Sequence, residues 1–389
     1  MKKIFIFLLM CLPFVGARAN DGVYYASGNQ LIPITETDIS VKKEILTVNR
    51  VGDHLEVTVY YEFFNPAKPK DLLVGFEAPA PYPAEEDYMK LFPEQPHMRN
   101  FKVIVNGEPL KYEIAHVEGQ PHEDYTATRE YYFNGKFQDL SRKQCVEALE
   151  ADDYFFYPFY FVYHFNAHFR EGLNIVQHTY DFDMSSSVED VFIFDYILTA
   201  ANRWANNGID DFTLNIDMGP RESFEVYPSF FKDASEWTIN GRGKVTTDRQ
   251  HSASASNPVF HMQDGSVTFR KKNFHPEGEL QVNKQFYIAE LYWRSDDQTV
   301  EGKDVVDVMK YVYDDLRVAV FEDLAPTMSA QQKRIMKNMP FAYRGHVFKD
   351  NGLKDYFEST EWYMPDPDYK DDMTTMNENE KEWIQFWSK

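Results

Sequence analysis

Three histidines within one aromatic-rich stretch are the first candidates for chemistry in this 389-residue chain. His164, His168 and His178 offer imidazole nitrogens, which are common zinc ligands. A zinc site needs each of these nitrogens about 2 Å from one ion. The local structure therefore decides whether the three histidines can act together.

The residues around the histidines predict two antiparallel strands. Apolar or aromatic side chains occupy every odd position in 155–169 and every even position in 176–182, so each segment has one apolar face. We expect a two-residue turn at 171–172 to join the segments in a hairpin, because this turn makes the two apolar faces coincide. The resulting register would place His164 opposite Thr179.

The predicted register argues against a zinc site. His178 would point into the core beside Phe165, whereas His164 and His168 would lie on the opposite face, about 13 Å apart along the strand. Ligands at that separation cannot share one zinc ion without a bulge in the strand. We therefore expect no metal and no cofactor in this protein.

The polar face of the first predicted strand is a candidate ligand-binding surface. Its aromatic, imidazole, amide and guanidinium groups can stack on a sugar ring or form hydrogen bonds with a glycan or a peptide. The members of this face are Tyr160, His164, Asn166, His168 and Arg170. The alternative that the residues permit is a solvated sheet face without a ligand.

A second candidate site lies near the end of the chain, in the run FAYRG at residues 341–345. Tyr343 and Arg344 supply a hydroxyl and a fork of guanidinium donors, which suit a carboxylate or a sugar ring. Nearby aromatic residues such as Phe348 and Trp362 are expected to form a small core. We predict a binding role for Arg344, whose replacement by alanine would then change the melting temperature little.

The first nineteen residues have the pattern of an export signal. Lys2 and Lys3 precede an apolar run, and Ala17 and Ala19 are the small residues that a signal peptidase recognises. We therefore expect cleavage before Asn20 and a mature protein in the periplasm or on the cell surface.

The charge of the chain limits its partners. The formal net charge is −22 at pH 7. Nucleic acid and anionic lipid both attract clustered cations, so neither is expected as a partner. No run after the signal segment is apolar for the eighteen or so residues of a transmembrane helix. The remaining partner classes are a cell-envelope glycan or peptide, or an envelope protein.

Residues 20–300 have the pattern of an antiparallel β-rich domain. Positions 55–63 alternate between apolar and polar side chains, and Asn-Gly pairs at 106–107 and 240–241 are strong signals for hairpin turns. Such turns at short spacing are typical of a sandwich. The predicted fold is a large all-β antiparallel sandwich or stacked-sheet domain.

The pattern becomes helical after residue 300. Ser329 and Gln332 form a capping box, and apolar residues then recur at helical spacing. We expect a helical connector at 301–326 and a small α-helical module at 327–389.

The C-terminal residues resemble the YARHG domain, a small module of secreted or surface-exposed bacterial proteins. The resemblance covers about residues 327–389 and rests on the order and spacing of several elements. These are Lys337-Asn338, Ala342, Gly345, Phe348, Leu353, Tyr356-Phe357, Trp362-Tyr363-x-Pro365 and the segment from Glu378 to Ile384. The run that names the family appears here as Phe-Ala-Tyr-Arg-Gly, without its imidazole.

The resemblance implies a non-catalytic binding or envelope-associated module. Residues 20 to about 240 are also similar to the β-rich domains of uncharacterised exported bacterial proteins, a resemblance that implies no chemistry. Three functions remain: a non-enzymatic envelope protein that binds a glycan or peptide, a structural or assembly subunit that binds an envelope protein, and a carboxylate-dependent hydrolase. No spacing of carboxylates identifies a catalytic pair, so we expect the first function and no enzymatic activity.

Overall fold

The computed structural model describes most of the chain, and the expected signal segment, residues 1–19, lies outside the described residues. The described residues are 20–27, 30–34, 36–79, 94–95, 97–118, 159–184, 190–247, 257–285, 300–311, 313, 318 and 321–389. They form sixteen strands, followed by four α-helices. This order confirms a β-rich domain followed by a small helical module.

Many of the described strands alternate between buried and more exposed side chains, as half-buried strands do. Their bounds are β1 (Asn20–Ser27), β2 (Gln30–Ile34), β3 (Ser40–Val51), β4 (His54–Asn65), β5 (Lys70–Pro79), β6 (Met98–Val105), β7 (Glu108–Leu110), β8 (Glu113–Glu118), β9 (Phe159–Phe169), β10 (Gly172–Asp183), β11 (Asp190–Tyr196), β12 (Ile209–Asp217), β13 (Glu222–Val226), β14 (Trp237–Thr246), β15 (Val259–Phe274) and β16 (Leu280–Gln285).

Two sheets account for the strands that the structure describes. The small sheet has the order β2-β1-β5-β9-β8, and its neighbours are all antiparallel. The large sheet has the order β11-β16-β13-β15-β12-β3-β4-β10-β6-β7, with β14 paired along β15. Within the large sheet β3 and β12 are parallel, and the other described pairs are antiparallel.

The sheets pack face to face around one core, which confirms the predicted sandwich. Phe76 of β5 and Phe165 of β9 come from the small sheet, and both contact His178 of β10 across the core, with ring centroids 5.6 and 5.7 Å apart. Phe101 of β6 stacks on the same imidazole at 5.6 Å. Aromatic side chains are large enough to fill the space of about 10 Å between stacked sheets.

The two Asn-Gly pairs have different roles. Asn106 and Gly107 both have positive φ, 52° and 86°, and form the turn between β6 and β7, as predicted. Gly241 instead lies inside β14, opposite Gly265 of β15, so the hairpin turn predicted at 240–241 is wrong. A Cβ at Gly241 would lie 2.6 Å from the carbonyl oxygen of Asp264. Glycine is needed there for the close approach of two backbones.

The predicted hairpin of β9 and β10 is also wrong. Strand β9 pairs with β5 and β8 in the small sheet, whereas β10 pairs with β4 and β6 in the large sheet. The chain crosses between the sheets at a corner held by the buried side chain of Asn174. Its amide group bonds both the backbone N and O of Arg170, each at 2.8 Å. The predicted faces are nevertheless correct for Phe165 and His178, which are 2% and 0% exposed.

The helical module begins near residue 300 and has its own core. Its helices are α1 (Gly302–Val308), α2 (Ala330–Tyr343), α3 (Asn351–Glu358) and α4 (Glu378–Phe386). The predicted capping box of Ser329 and Gln332 begins α2. Val305, Met309 and Phe321 pack in the same cluster as Trp362 and Trp383. The expected connector therefore contributes to the core of the module.

No helix among the residues that the structure describes has the length and apolar character required to cross a membrane.

Candidate functional site

The predicted binding face on β9 is exposed at one end and buried at the other. Asn166, His168 and Arg170 are exposed, and His164 is partly buried between Gly75 of β5 and Glu113 of β8. Val162 lies on the same face of β9, and its exposure is 0%. The side chain of Tyr160 lies outside the described residues. We call His164, Asn166, His168 and Arg170 the β9 strip.

The two histidines of the β9 strip differ in their surroundings. Burial lowers the pKa of His164, and the nearby carboxylate of Glu113 offsets only part of this effect. A neutral imidazole offers one donor and one acceptor. His168 is more exposed, and its Nδ1 lies 2.8 Å from the Oδ1 of Asp71. The strip therefore presents several hydrogen-bonding groups without a strong net charge.

The three histidines considered for zinc do not converge. His178 is enclosed by the aromatic rings of Tyr61, Phe76, Phe101 and Phe165 in the core. His164 and His168 lie on the other face of β9, at positions four residues apart. The structure thus separates His178 from the other two by the thickness of the small sheet.

The second predicted site, Arg344, lies inside the helical module. Its residue exposure is 7%, and its guanidinium makes a bidentate ion pair with the carboxylate of Glu380 at 2.6 and 2.7 Å. The guanidinium also donates to the carbonyl oxygens of Pro340 and Thr375, each at 3.1 Å. The hydroxyl of Tyr313 donates to the same carboxylate at 3.1 Å. This geometry gives Arg344 a structural role in place of the predicted binding role.

The buried pair is strongly biased towards its charged form. Burial alone would raise the pKa of Glu380, but hydrogen bonds and charge from Arg344 and the backbone of Asn377 outweigh it, and the net pKa is lowered. Burial opposes the charge of Arg344 as well, yet Glu380 raises its pKa above the ordinary value. The pair joins the end of α2 to the start of α4.

Tyr343 connects the helical module to the β-rich region. Its ring stacks on Tyr313 with centroids 3.6 Å apart, and its hydroxyl donates to the backbone carbonyl of Arg221. The side chain of Gln263 donates to the carbonyl oxygen of Tyr343 at 2.7 Å. With an exposure of 6%, Tyr343 belongs to the interface between the two parts of the chain.

Strand β14 completes this interface with two cations. Arg242 pairs with Asp366 at 2.7 Å and donates to the carbonyl oxygens of Met364 and Pro365 at 2.8 and 2.7 Å. Lys244 donates to two further carbonyl oxygens in residues 360–363, at 3.3 and 3.1 Å. Burial lowers the pKa of Lys244, and a nearby carboxylate offsets part of this effect. The sequence did not predict this interface, because the residues that bond across it lie 80 or more positions apart.

A chain of hydroxyl and imidazole groups crosses the same interface. The Oγ of Ser223 lies 2.9 Å from Nδ1 of His261, and Thr246 Oγ1 lies 3.1 Å from Nε2 of His261 and 3.1 Å from Glu361 Oε2. Thr246 Oγ1 thus bridges the carboxylate and the imidazole. Ser223 and His261 are each 1% exposed. The arrangement differs from a serine hydrolase triad, in which an acid orients the imidazole directly and the serine is accessible.

Two family models match separate segments of the chain. Residues 310–389 match the YARHG domain, and residues 19–131 match the domain of unknown function DUF4424. No curated protein sequence matches the chain. The YARHG match begins before the expected start at residue 327 and includes part of the expected connector.

The solved structures that are similar to the chain at low sequence identity include a binding protein and a peptidase. A proposed nutrient binding protein from Legionella pneumophila has a TM-score of 0.46 and 14% identity, over 94% of this chain and 99% of that chain. An M1 zinc metallopeptidase from Deinococcus radiodurans has a TM-score of 0.23 and 10% identity, over 64% of this chain and 43% of that chain. The similarity to the peptidase therefore spans less than half of that enzyme.

The family matches and the architecture agree on the division of the chain. The β-rich region contains the residues that match DUF4424, and the helical module contains the residues that match the YARHG domain. Residues 310–389, in the helical module, match the YARHG domain, and the β-rich region begins with residues that match DUF4424.

Proposed function

We propose that this protein is an exported, non-catalytic binding protein of the cell envelope. In this proposal the β9 strip recognises a glycan or an extended peptide. The observation that carries it is the row of Asn166, His168 and Arg170 on an exposed sheet face, with His164 beside them. Alternate residues of a strand are about 6.6–6.8 Å apart, which equals the two-residue repeat of an extended peptide.

The electrostatics of the strip favour an uncharged or mixed hydrogen-bonding ligand. Carboxylates accompany both imidazoles, Asp71 beside His168 and Glu113 beside His164. The whole chain carries a formal charge of −22, which repels polyanions over long range. Amide and hydroxyl groups of a peptide or sugar can form hydrogen bonds with imidazole and amide side chains without this electrostatic repulsion.

The roles of the buried polar groups support a non-catalytic function. Arg344 and Glu380 bind each other inside the helical module. Ser223 and His261 are buried at the interface between this module and the β-rich region. These groups hold parts of the fold together. They do not present a nucleophile and a base to an open surface, as hydrolysis would require.

A protein partner is the second candidate function. Phe64 of β4 and Leu173 of β10 lie directly opposite each other on the outer face of the large sheet, and they are 39% and 52% exposed. Exposed apolar pairs of this kind favour protein contact. If the chain binds no envelope fragment but retains a defined protein in a pull-down from envelope extract, this function replaces the first.

Ligand recognition by the β9 strip can be tested by calorimetric titration of the mature chain with peptidoglycan-derived glycan and peptide fragments. The double variant Asn166→Ala/His168→Ala should bind a recognised fragment about tenfold or more weakly, because each hydrogen bond contributes about 1 kcal/mol. The matched control is Lys102→Ala/Thr179→Ala, an equally exposed cross-strand pair on the other sheet. Equal affinity of the parent and the β9 double variant would remove the strip from the proposal.

Export can be tested separately. Because Ala17 and Ala19 supply the small residues of a cleavage site, the mature protein recovered from the cell envelope should begin at Asn20. Intact-mass spectrometry measures this directly. A mature form that retains Lys2 and Lys3 would show that the segment is not removed as predicted.

A further inference from the structure

Three metal-ligating side chains converge on the outer face of the large sheet. His54 and Glu56 are alternate residues of β4 and share one face, and Asp181 of β10 lies directly opposite Glu56. One ligand atom from each residue lies within 4.8 Å of the other two. Ligands about 2.0–2.2 Å from a zinc ion lie about 3.3 Å apart. Rotation of the exposed Glu56 side chain can bring its carboxylate oxygen from within 4.8 Å to the separation of about 3.3 Å that zinc ligands have.

The charges in the cluster are unbalanced. Glu56 and Asp181 face each other, and within the part of the chain that the structure describes neither forms an ion pair. Arg99 of β6 lies directly opposite Asp181 and attracts it electrostatically, but its guanidinium donates its hydrogen bonds to the carboxylate of Asp183. Asp181 accepts one hydrogen bond from Asn100 at 2.6 Å. Like charges directly opposite on neighbouring strands destabilise a sheet, so a bound cation would stabilise this one.

The imidazole of His54 is oriented by a carboxylate. Its Nδ1 lies 3.3 Å from Oδ1 of Asp53. Donation from Nδ1 selects the tautomer in which Nε2 carries the lone pair. Histidines that bind metal ions almost always donate their other ring nitrogen to such an outer partner. Asp53 therefore has the position of an orienting residue, and this contact leaves Nε2 of His54 as the nitrogen available to an ion.

We propose that His54, Glu56 and Asp181 bind one divalent transition-metal ion of the zinc type. An imidazole ligand favours zinc and similar ions over Ca²⁺ and Mg²⁺, which prefer oxygen ligands alone. Three protein ligands leave at least one coordination position for water or for an anionic group of a ligand, as in open zinc sites. The site lies on the large sheet and is independent of the β9 strip.

The test is a titration of the mature chain with zinc chloride after its metal ions have been removed with EDTA. Isothermal titration calorimetry should show one zinc ion per chain, and saturating zinc should raise the melting temperature. The variants His54→Ala and Glu56→Gln should each weaken zinc binding about tenfold or more. Asp53→Asn should weaken it about tenfold, because Asp53 acts on the ion only through His54. Glu56→Gln keeps the shape of an exposed side chain, so the fold should be retained.

The control is His168→Ala, which removes an exposed histidine that is also beside an aspartate, on the other sheet. This variant should bind zinc with the affinity of the parent. The proposal fails if the parent binds no stoichiometric zinc, or if His54→Ala and Glu56→Gln bind it as tightly as the parent. Loss of zinc in His168→Ala alone would also overturn it, because the ion would then lie at the β9 strip.

Discussion

Replacement of Arg344 by alanine is expected to destabilise the protein by about 3–5 kcal/mol, because the buried carboxylate of Glu380 loses its ionic partner. The side chains of Arg344 and Glu380 are 5% and 7% exposed, and two N–O contacts of 2.6 and 2.7 Å join them. Urea unfolding of the mature chain, followed by tryptophan fluorescence, measures the free energy of unfolding. This expectation reverses the small effect that the sequence predicted for the same substitution.

The loss of stability in Arg344→Ala should become smaller at low pH. The pKa of Glu380 is lowered in the folded protein, chiefly because the bonds to Arg344 outweigh the effect of burial. A carboxyl group with a lowered folded pKa contributes stability above its unfolded pKa, and this contribution is lost as the pH falls through the folded value. The difference in unfolding free energy between the parent and Arg344→Ala should therefore shrink below about pH 4.

A matched control separates burial from charge. Arg334 pairs with Asp350 at 3.0 Å in the same module, but these side chains are 49% and 39% exposed. Exposed ion pairs contribute about 0–1 kcal/mol, so Arg334→Ala should have a small effect. If Arg334→Ala and Arg344→Ala lower the free energy of unfolding by the same amount, the buried pair of Arg344 and Glu380 does not have the structural role inferred from its geometry.

The burial of Arg344 could not be predicted from its local sequence. The capping box of Ser329 and Gln332 was predictable because a side chain and a backbone amide three residues apart determine it. The partner of Arg344 is instead Glu380 on another helix, and only the packing of α2 against α4 brings the two together. A short run of polar residues has the same appearance whether it faces solvent or an internal partner.

The pairing of the strands could not be predicted from the local sequence either. Alternation predicted which face of β9 and β10 is buried, because successive side chains point to opposite faces of any strand. It could not predict which strands are neighbours. Two segments with apolar faces bury them equally well side by side in one sheet or facing each other across two sheets. The second arrangement occurs here, where β9 pairs with β5.

The proposed metal site was missed for a related reason. Sequence reasoning considered His164, His168 and His178, which are close along the chain. His54 and Asp181 are separated by more than a hundred residues and meet because β4 and β10 pair over their full lengths. The signal that the sequence does contain is His54 and Glu56 at a spacing of two, which places both on one face of a strand.

Replacement of Trp362 by alanine is the other large expected effect. The indole is 0% exposed, its Nε1 donates to the carbonyl oxygen of Met309 at 2.7 Å, and its ring packs edge-on against Tyr313 and Phe357. Loss of a buried tryptophan costs about 3–5 kcal/mol through lost burial and the cavity that remains. Urea unfolding followed by circular dichroism is the suitable measurement, because the substitution removes a fluorophore.

The experiment requires the whole mature chain. Met309, which accepts the hydrogen bond from the indole, precedes residue 327, so a fragment of 327–389 lacks part of the core that surrounds Trp362. Trp362→Phe keeps most of the apolar volume but leaves the Met309 carbonyl without its donor, and it should cost less than Trp362→Ala. Val347→Ala, at a site that is 45% exposed, should change the free energy of unfolding by less than about 0.5 kcal/mol. A loss at Trp362 no larger than that at Val347 would mean that the indole does not anchor the core of the helical module.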